Sequence, residues 1–284
     1  MDNILRNLIR LGLVGIYPLI LIISFAYLYH KDRYKTAIKK HLKHIIINTL
    51  VFTIIGAVII FIFFYFEDTI YSYDYAGHWQ RSLELRKLFF ENPNEILSTV
   101  YNSMNYHEYS YLPALFGLGL TVFNTSYGFF CLTIFIYFLM PTTILLQIVY
   151  FSYTNKYPYL PLASFIIFYP LYLTIFYGEV DVIGLFFILM ICLLIFIPKF
   201  EDIKISDFLL VNLYSFTAIF LRRWYLYCAV TIYLMLFIKY LAYYKFKPFS
   251  KSGLKDFAKI ISSGLIMLIV ILILFFPFFN NVIN

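Results

Sequence analysis

Charged residues are scarce in this chain of 284 residues, where they account for 13% of the total. A soluble domain carries roughly a quarter. Hydrophobic residues reach 62% and aromatic residues 22%. Apolar runs of about 17 to 25 residues recur from end to end, and a helix of that length crosses the hydrocarbon core of a bilayer with its backbone hydrogen bonds satisfied. The composition therefore excludes a soluble globular protein and predicts an all-α, polytopic membrane helix bundle.

Cysteine pairs, nucleotide motifs and internal repeats are also lacking. Cys131, Cys192 and Cys228 lie inside apolar runs without metal-ligand spacing, which is typical of small buried hydrophobes. No Walker loop or glycine-rich fingerprint supports an ATP or nucleotide-sugar site. The net charge of +7 comes from short basic segments between apolar runs. That pattern favours contact with anionic membrane lipid and argues against a nucleic acid partner.

The basic segment 30–44 sets the orientation of the chain. It holds six lysines and arginines against the single acid Asp32, so we predict a cytoplasmic loop there by the positive-inside rule. The apolar run before it, about residues 11–29, has no small-residue cleavage site after it and is expected to be a retained helix. The next span, about residues 45–66, then emerges on the outer face.

Residues 67–126 are predicted to form an external loop. The part up to Tyr111 holds seven of the 15 acids but three of the 22 bases, an imbalance typical of the outside. A helical pattern over 76–91, with Trp79, Leu83, Leu88 and Phe90 as apolar positions, predicts a helix lying in the membrane interface. Asn92-Pro-Asn94 ends it. A short helix over 95–104 and a partial or re-entrant helix over 113–123, too short to span, complete the loop.

Six more spans bring the prediction to about eight transmembrane helices in one integral membrane domain, residues 1–284. They cover about residues 127–150, 158–177, 182–197, 208–221, the stretch up to 238, and 260–279. The segment 208–238 could be one helix or two that turn at Arg222 and Arg223. Only two helices put the six lysines between positions 239 and 259 in the cytoplasm, so we predict two.

With this number of spans, three clusters of polar residues are predicted at the outer face of the membrane, and a fourth is possible. Charges in or beside apolar spans are costly, so each cluster is a functional candidate. The alternative is a structural ion-pair network that locks helices together. The candidates are Asp74 with His78 and Trp79, then Glu179 with Asp181, then Arg222 with Arg223, and finally His107 with Glu108.

The residue types in these clusters suit a reaction on a lipid phosphate. A guanidinium donates in a planar fork to phosphate and stays charged when partly desolvated, as Arg222 and Arg223 would. A carboxylate at a low-dielectric membrane mouth, such as Asp74, can remove a proton from a hydroxyl as general base. Together they describe transfer of a group from a lipid phosphate to a hydroxyl.

Four short stretches resemble the GT-C superfamily of membrane glycosyltransferases, and most closely bacterial relatives of the protein mannosyltransferases and of the lipid A aminoarabinose transferase. They are Tyr73-Asp-Tyr-Ala-Gly-His-Trp79, Tyr111-Leu-Pro113, Gly178-Glu-Val-Asp181 and Arg222-Arg-Trp-Tyr225. The resemblance implies that Asp74 is the catalytic carboxylate of an external catalytic loop. It also implies that Gly178, Glu179 and Asp181 form the family's outer-face stretch, and that Arg222 or Arg223 binds the phosphate of a polyprenyl-phosphate sugar. The implied transfer is inverting.

Two side-chain roles stay open in the sequence. His78 and His107 could help to hold a divalent cation, as in some relatives, or could hydrogen-bond the loop. Trp79 and its tyrosine neighbours could stack on a sugar ring or belong to the interfacial aromatic belt.

The expected function is a glycosyltransferase in the plasma membrane that acts on its external face. It would move a sugar from a polyprenyl-phosphate donor to a glycan, lipid or protein acceptor. The alternatives are a transporter or flippase of a lipid-linked glycan, which would use the same charges as a substrate path, and a non-enzymatic membrane scaffold subunit.

Overall fold

The protein is all-α in the computed structural model, which confirms the predicted class. The structure describes residues 2–66, 74–103, 110–154, 156–168, 170–222, 224–245 and 251–282; these contain no strand and are predominantly helical. The helices, in chain order, are α1 (Asp2–Tyr29), α2 (Asp32–Phe66), α3 (Asp74–Glu91), α4 (Ile96–Ser103), α5 (Leu112–Thr121), α6 (Tyr127–Thr133), α7 (Met140–Tyr153), α8 (Leu160–Ile167), α9 (Pro170–Phe176), α10 (Val182–Ile195), α11 (Ile205–Leu221), α12 (Tyr225–Tyr243) and α13 (Lys251–Val282).

Within the described residues, four helices are long and apolar enough to span a membrane. They are Ile4–Tyr29, Asp32–Phe66, Tyr127–Tyr153 and Tyr225–Tyr243. Leu112–Thr121, Val182–Ile195 and Ile205–Leu221 are apolar but shorter. The fold therefore has several helices of the membrane-spanning kind, and the predicted count of eight stays a prediction.

The chain divides into two compact units, Met1–Phe186 and Phe187–Asn284. Each unit is described by itself. The prediction of a single integral domain over residues 1–284 stays a prediction.

In the first unit, α2 runs antiparallel to the continuous helical segment Tyr127–Tyr153 along its whole length. Ring contacts mark this pairing from one end to the other, with centroid distances of 5.6 Å for Phe64 and Tyr127, 5.3 Å for Phe52 and Phe135, and 4.4 Å for His41 and Phe151. We call the end with His41 and Phe151 the basic end and the opposite end the α3 end.

The helices α3, α4 and α5 form a layer at the α3 end and share a core with α1. Leu13 of α1 packs there with Leu85, Phe89, Ile96, Val100, Leu115 and Leu118. The buried positions of α3 are His78, Ser82, Leu85 and Phe89, which differ from the predicted apolar stripe, and Phe90 is 51% exposed. The helix therefore packs its buried face on protein, because α5 and α1 supply a partner where a lipid surface was expected.

Two helix ends at the α3 end agree with the sequence. α3 ends at Glu91, and a short 3₁₀ turn, Pro93–Glu95, leads into α4. Proline is tolerated in the first turn of a helix because the backbone N–H that it lacks would have no partner there. The expected short helix after Tyr111 is α5, ten residues long and buried over most of its length.

The prediction of a loop over residues 30–44 is wrong. Only His30 and Lys31 form the connection, and α2 is helical from Asp32. Lysine, alanine and leucine favour helix, so the basic segment extends the apolar one. α2 has 35 residues, about 52 Å at 1.5 Å per residue, which is longer than the roughly 30 Å of a hydrocarbon core.

The predicted span over residues 158–177 is broken in the middle. α8 ends at Ile167, Phe168 leaves the helix, and α9 starts at Pro170. Proline has no N–H to donate to the preceding turn and its ring clashes with that turn, so Pro170 suits the start of a new helix and not the interior of a continuous one. A π-helical segment, Ile134–Leu139, likewise precedes Pro141 within the third long helix.

The second unit confirms the prediction of two helices in the segment 208–238. α11 ends at Leu221 and α12 starts at Tyr225. In the same unit, Lys239 donates from its ammonium to the carbonyl oxygens of Ile195, Phe196 and Pro198 at the end of α10. A cation at a helix C-terminus satisfies carbonyls that the helix leaves unpaired. The last predicted span lies within α13, Lys251–Val282.

Candidate functional site

Asp74 is the first residue of α3, and its side chain lies outside the described residues. His78 follows one turn later on the same continuous helix, with its side chain buried at 3% exposure. The backbone carbonyl of His78 accepts from the hydroxyl of Ser82 at 3.1 Å. A carboxylate at the first position of a helix sits at the positive end of the helix dipole.

Trp79 connects α3 to the start of the third long helix. Its indole N–H donates to the carbonyl of Thr125 at 3.1 Å, and its ring meets the Tyr127 ring edge to face at 5.5 Å between centroids. Ser126 caps α6, where its hydroxyl accepts from the backbone N–H of Phe129 at 3.3 Å, a common capping arrangement. Trp79 is therefore held by protein contacts, while its predicted role in stacking on a sugar stays a prediction.

Tyr127 also contacts the predicted outer-face turn. Its hydroxyl donates to the carbonyl of Phe176 at 3.3 Å. Gly178 has φ +67, and a Cβ there would lie 2.7 Å from the Tyr127 hydroxyl, so the position requires glycine on both counts. The backbone N–H of Glu179 donates to Thr174 at 2.8 Å, and Gly184 donates to the carbonyl of Asp181 at 3.0 Å.

The structure thus brings two of the predicted stretches together through one residue that sequence reasoning missed. Tyr127 touches both Trp79 and the Gly178 turn. The available signal was the Asn124-Thr-Ser126 sequence just before it, which matches a glycosylation acceptor and also suits a helix cap. Both stretches lie at the α3 end of the first unit.

A polar network at the junction of α3 and α5 was also missed. Tyr111 donates from its hydroxyl to the Glu84 carboxylate, and Gln80 donates to the same carboxylate at 2.9 Å. The Arg81 guanidinium lies 5.0 Å from the centroid of the Tyr111 ring and 3.7 Å from Glu84. Burial and the hydrogen bond to Glu84 raise the pKa of Tyr111 to about 12.

Two other arginines at the α3 end hold helix ends. Arg10 of α1 donates to the carbonyl oxygens of Phe89 and Phe90 at 2.9 and 2.7 Å. Arg86 donates to the carbonyl of Val122, just past α5, at 3.1 Å. These cations therefore complement the negative ends of α3 and α5.

The remaining predicted site residues belong to the second unit or lie outside the described residues. Arg222 belongs to the second unit, where it ends α11 with an extended backbone and its N–H donates to Ala218 at 3.0 Å. Arg223, His107 and Glu108 lie outside the described residues. The predicted meeting of Asp74 with the arginine pair stays a prediction.

The described segments offer no additional candidate for a metal site. No group of three or more histidine, cysteine, aspartate or glutamate side chains is close enough there to hold an ion. Whether His78 and His107 hold a divalent cation stays open, since His107 lies beyond those segments.

The fold defines an all-α protein with several helices long and apolar enough to cross a membrane. No protein-family model, curated protein or solved structure matches this chain. The GT-C resemblance therefore depends on the four short stretches, and the function that follows is a proposal.

Proposed function

We propose that this protein is a multi-pass glycosyltransferase of the plasma membrane, acting at its outer face on a polyprenyl-phosphate sugar. One observation supports it most. At the end of the first unit opposite the basic segment 30–44, Tyr127 contacts both Trp79, five residues after Asp74, and the Gly178 turn. Two of the four stretches that resemble GT-C enzymes thus share one contact, at the end that the positive-inside rule assigns to the outside.

The proposed chemistry is an inverting displacement. The Asp74 carboxylate takes the proton of the acceptor hydroxyl, and that oxygen forms a bond to the anomeric carbon of the sugar. The bond from the anomeric carbon to the phosphate oxygen breaks at the same time, and polyprenyl phosphate leaves with the electron pair. General-base assistance of this kind contributes roughly 10² to 10⁴ in rate.

The donor phosphate needs cations, and Arg222 or Arg223 would supply them. Arg81, Arg86 and Arg10 are engaged with Glu84 or with backbone carbonyls. An arginine pair at a helix break suits a bidentate contact with the leaving phosphate. Glu179 and Asp181 would then bind sugar hydroxyls or hold the arginines.

A transporter or flippase of a lipid-linked glycan is the second candidate, and one observation favours it. The break between α8 and α9 at Phe168 falls in the middle of an apolar segment. Interrupted helices at mid-membrane are typical of transporter binding sites. Under this alternative, the same lipid-linked sugar would cross the membrane unchanged.

The experiment is a transfer assay with the full chain in proteoliposomes, a labelled polyprenyl-phosphate sugar and mass analysis of products. We expect Asp74→Asn to lower transfer by at least about 100-fold. The control, Glu91→Gln, removes the same charge from the exposed last residue of α3 and should keep wild-type transfer.

Two outcomes would contradict the proposal. Unchanged transfer by a folded Asp74→Asn variant would remove Asp74 as the base. Movement of the intact donor across the bilayer, with no glycosylated product, would favour the transporter.

A further inference from the structure

A cavity of ≈ 460 Å³ lies at the basic end of the first unit, between the first turns of α2 and the end of α7. Arg33, Lys40 and His41 line it from α2, while Phe151 and Ser152 line it from α7. The cavity is therefore built by two helices far apart in sequence. It is remote from the α3 end, so it is distinct from the proposed glycosyltransferase site.

The lining positions of α2 share one helix face. Residues 33, 36, 37, 40 and 41 line the cavity, a spacing of three, four, seven and eight residues that places side chains on one stripe. The Arg33 guanidinium lies 4.5 Å from the centroid of the Tyr153 ring. The His41 ring stacks on Phe151 at 4.4 Å with an interplanar angle of 3°. Aromatic side chains of α7 thus support the basic groups of α2.

The depth of the cavity suits a lipid headgroup. The apolar part of α2 begins at Ile45, five residues after Lys40, which is about 8 Å along the helix at 1.5 Å per residue. The headgroup layer is roughly 5 to 8 Å thick on each side of the hydrocarbon core. Lys40 therefore lies at the level of the lipid phosphates. Arg33, about 18 Å from Ile45 along the helix, lies on the water side of that layer and faces the part of a headgroup that projects toward water.

The charges of the cavity favour an anion. Arg33 and Lys40 are both exposed and cationic. Asp32 is the one acid among the lining residues, so the cavity keeps a net positive charge. A guanidinium and an ammonium are the groups that proteins use for phosphate, and basic pockets between membrane helices on the cytoplasmic side bind acidic headgroups.

We propose that this cavity binds the phosphodiester headgroup of an anionic membrane phospholipid, with Lys40 on the phosphate and Arg33 on the outer part of the headgroup. Free inorganic phosphate presents the same chemistry. A lipid differs because its acyl chains would lie along apolar side chains further along the same face of α2, such as Ile54, which is 64% exposed.

The test is a titration of the full chain in detergent with phosphatidylglycerol, with bound lipid counted by native mass spectrometry. The double variant Arg33→Gln with Lys40→Gln should bind about 30-fold more weakly, given the usual contribution of each cation near a membrane surface. The matched control, Lys39→Gln with Lys43→Gln, removes the same charge from exposed positions of α2 that do not line the cavity. It should stay within about threefold of wild type.

Two further variants keep both cations. Asp32→Asn should strengthen lipid binding about fivefold, because it removes the opposing charge. Ser152→Glu should abolish binding by filling the cavity with a carboxylate from α7. Equal losses of lipid affinity in the two double variants would show that the effect comes from general surface charge, and would overturn the proposal. Inorganic phosphate that competes as well as the lipid would overturn the assignment to a headgroup.

Discussion

The two ends of the first unit use their arginines in opposite ways. At the α3 end, Arg10 and Arg86 donate to backbone carbonyls that end α3 and α5. At the basic end, Arg33 is exposed and lies over the ring of Tyr153 beside an open cavity. Positive charge thus holds helix ends at one end of the unit and lines an open cavity at the other.

Packing is also tighter at the α3 end than at the basic end. The α3 end has a glycine turn that leaves no room for a methyl group beside Tyr127. The basic end has a cavity of ≈ 460 Å³. A site that performs chemistry needs side chains held in place by such packing, and a site for lipid headgroups does not. The following substitutions test this contrast, in order of decreasing expected effect.

Replacing Gly178 by alanine should cost the most stability. The substitution puts a side chain into the left-handed region, at φ +67, with its Cβ 2.7 Å from the Tyr127 hydroxyl. Together these effects should lower the free energy of unfolding by about 2 to 4 kcal/mol. The control is Gly15→Ala in α1, where a Cβ would have nothing within 4 Å. Denaturant unfolding in detergent measures both, and equal effects would show that the turn at Gly178 is not tightly packed.

Arginine substitutions compare the two ends directly. Arg10→Ala removes two charged hydrogen bonds, to Phe89 and Phe90, and should cost about 2 kcal/mol of unfolding free energy. Arg33→Ala removes an exposed contact with the Tyr153 ring and should cost less than about 1 kcal/mol. The same denaturant titration measures both. A larger loss for Arg33 would reverse the contrast between the ends.

The smallest effect should appear as a pH dependence at Tyr111. Its pKa is raised from 10.0 to about 12, so the folded protein holds the phenolic proton more tightly than the unfolded chain does. The resulting stabilisation is complete below pH 10 and is lost as the pH rises through about 12. Tyr111→Phe should therefore flatten the decline of stability in this window. Tyr65→Phe, at an exposed position of α2, is the control, and an identical slope in wild type and Tyr111→Phe would exclude the effect.

The sequence predicted those features that depend on local chemistry. Length and apolarity identified the long helices, Asn92-Pro-Asn94 marked the end of α3, and the charge balance separated α11 from α12 at Arg222. Local signals failed where two tendencies competed. Residues 30–44 combine loop-like charge with good helix formers, and helix propensity prevailed because the following apolar helix extends into them.

The tertiary contacts could not be predicted. Tyr127 contacts Trp79 and the Gly178 turn, each about 50 residues away from it in sequence. Arg10 contacts Phe89, which is 79 residues away in sequence. Such pairs depend on which helix faces meet, and a single sequence does not specify this. The residues proposed for catalysis came from a resemblance in short motifs, so their meeting in space is what experiment must decide.

Thiol labelling of intact cells tests most directly whether the α3 end and the basic end of the first unit face opposite sides of the membrane, with the α3 end outside. Single cysteines replace Gln80, at an exposed position of α3, and Lys39, at an exposed position of α2, in a chain whose three native cysteines are removed. A membrane-impermeant thiol reagent is then applied to intact cells. We expect labelling of the Gln80→Cys variant in intact cells, and labelling of the Lys39→Cys variant only after the membrane is opened. Labelling of both from the same side, or of Lys39→Cys alone in intact cells, would contradict it.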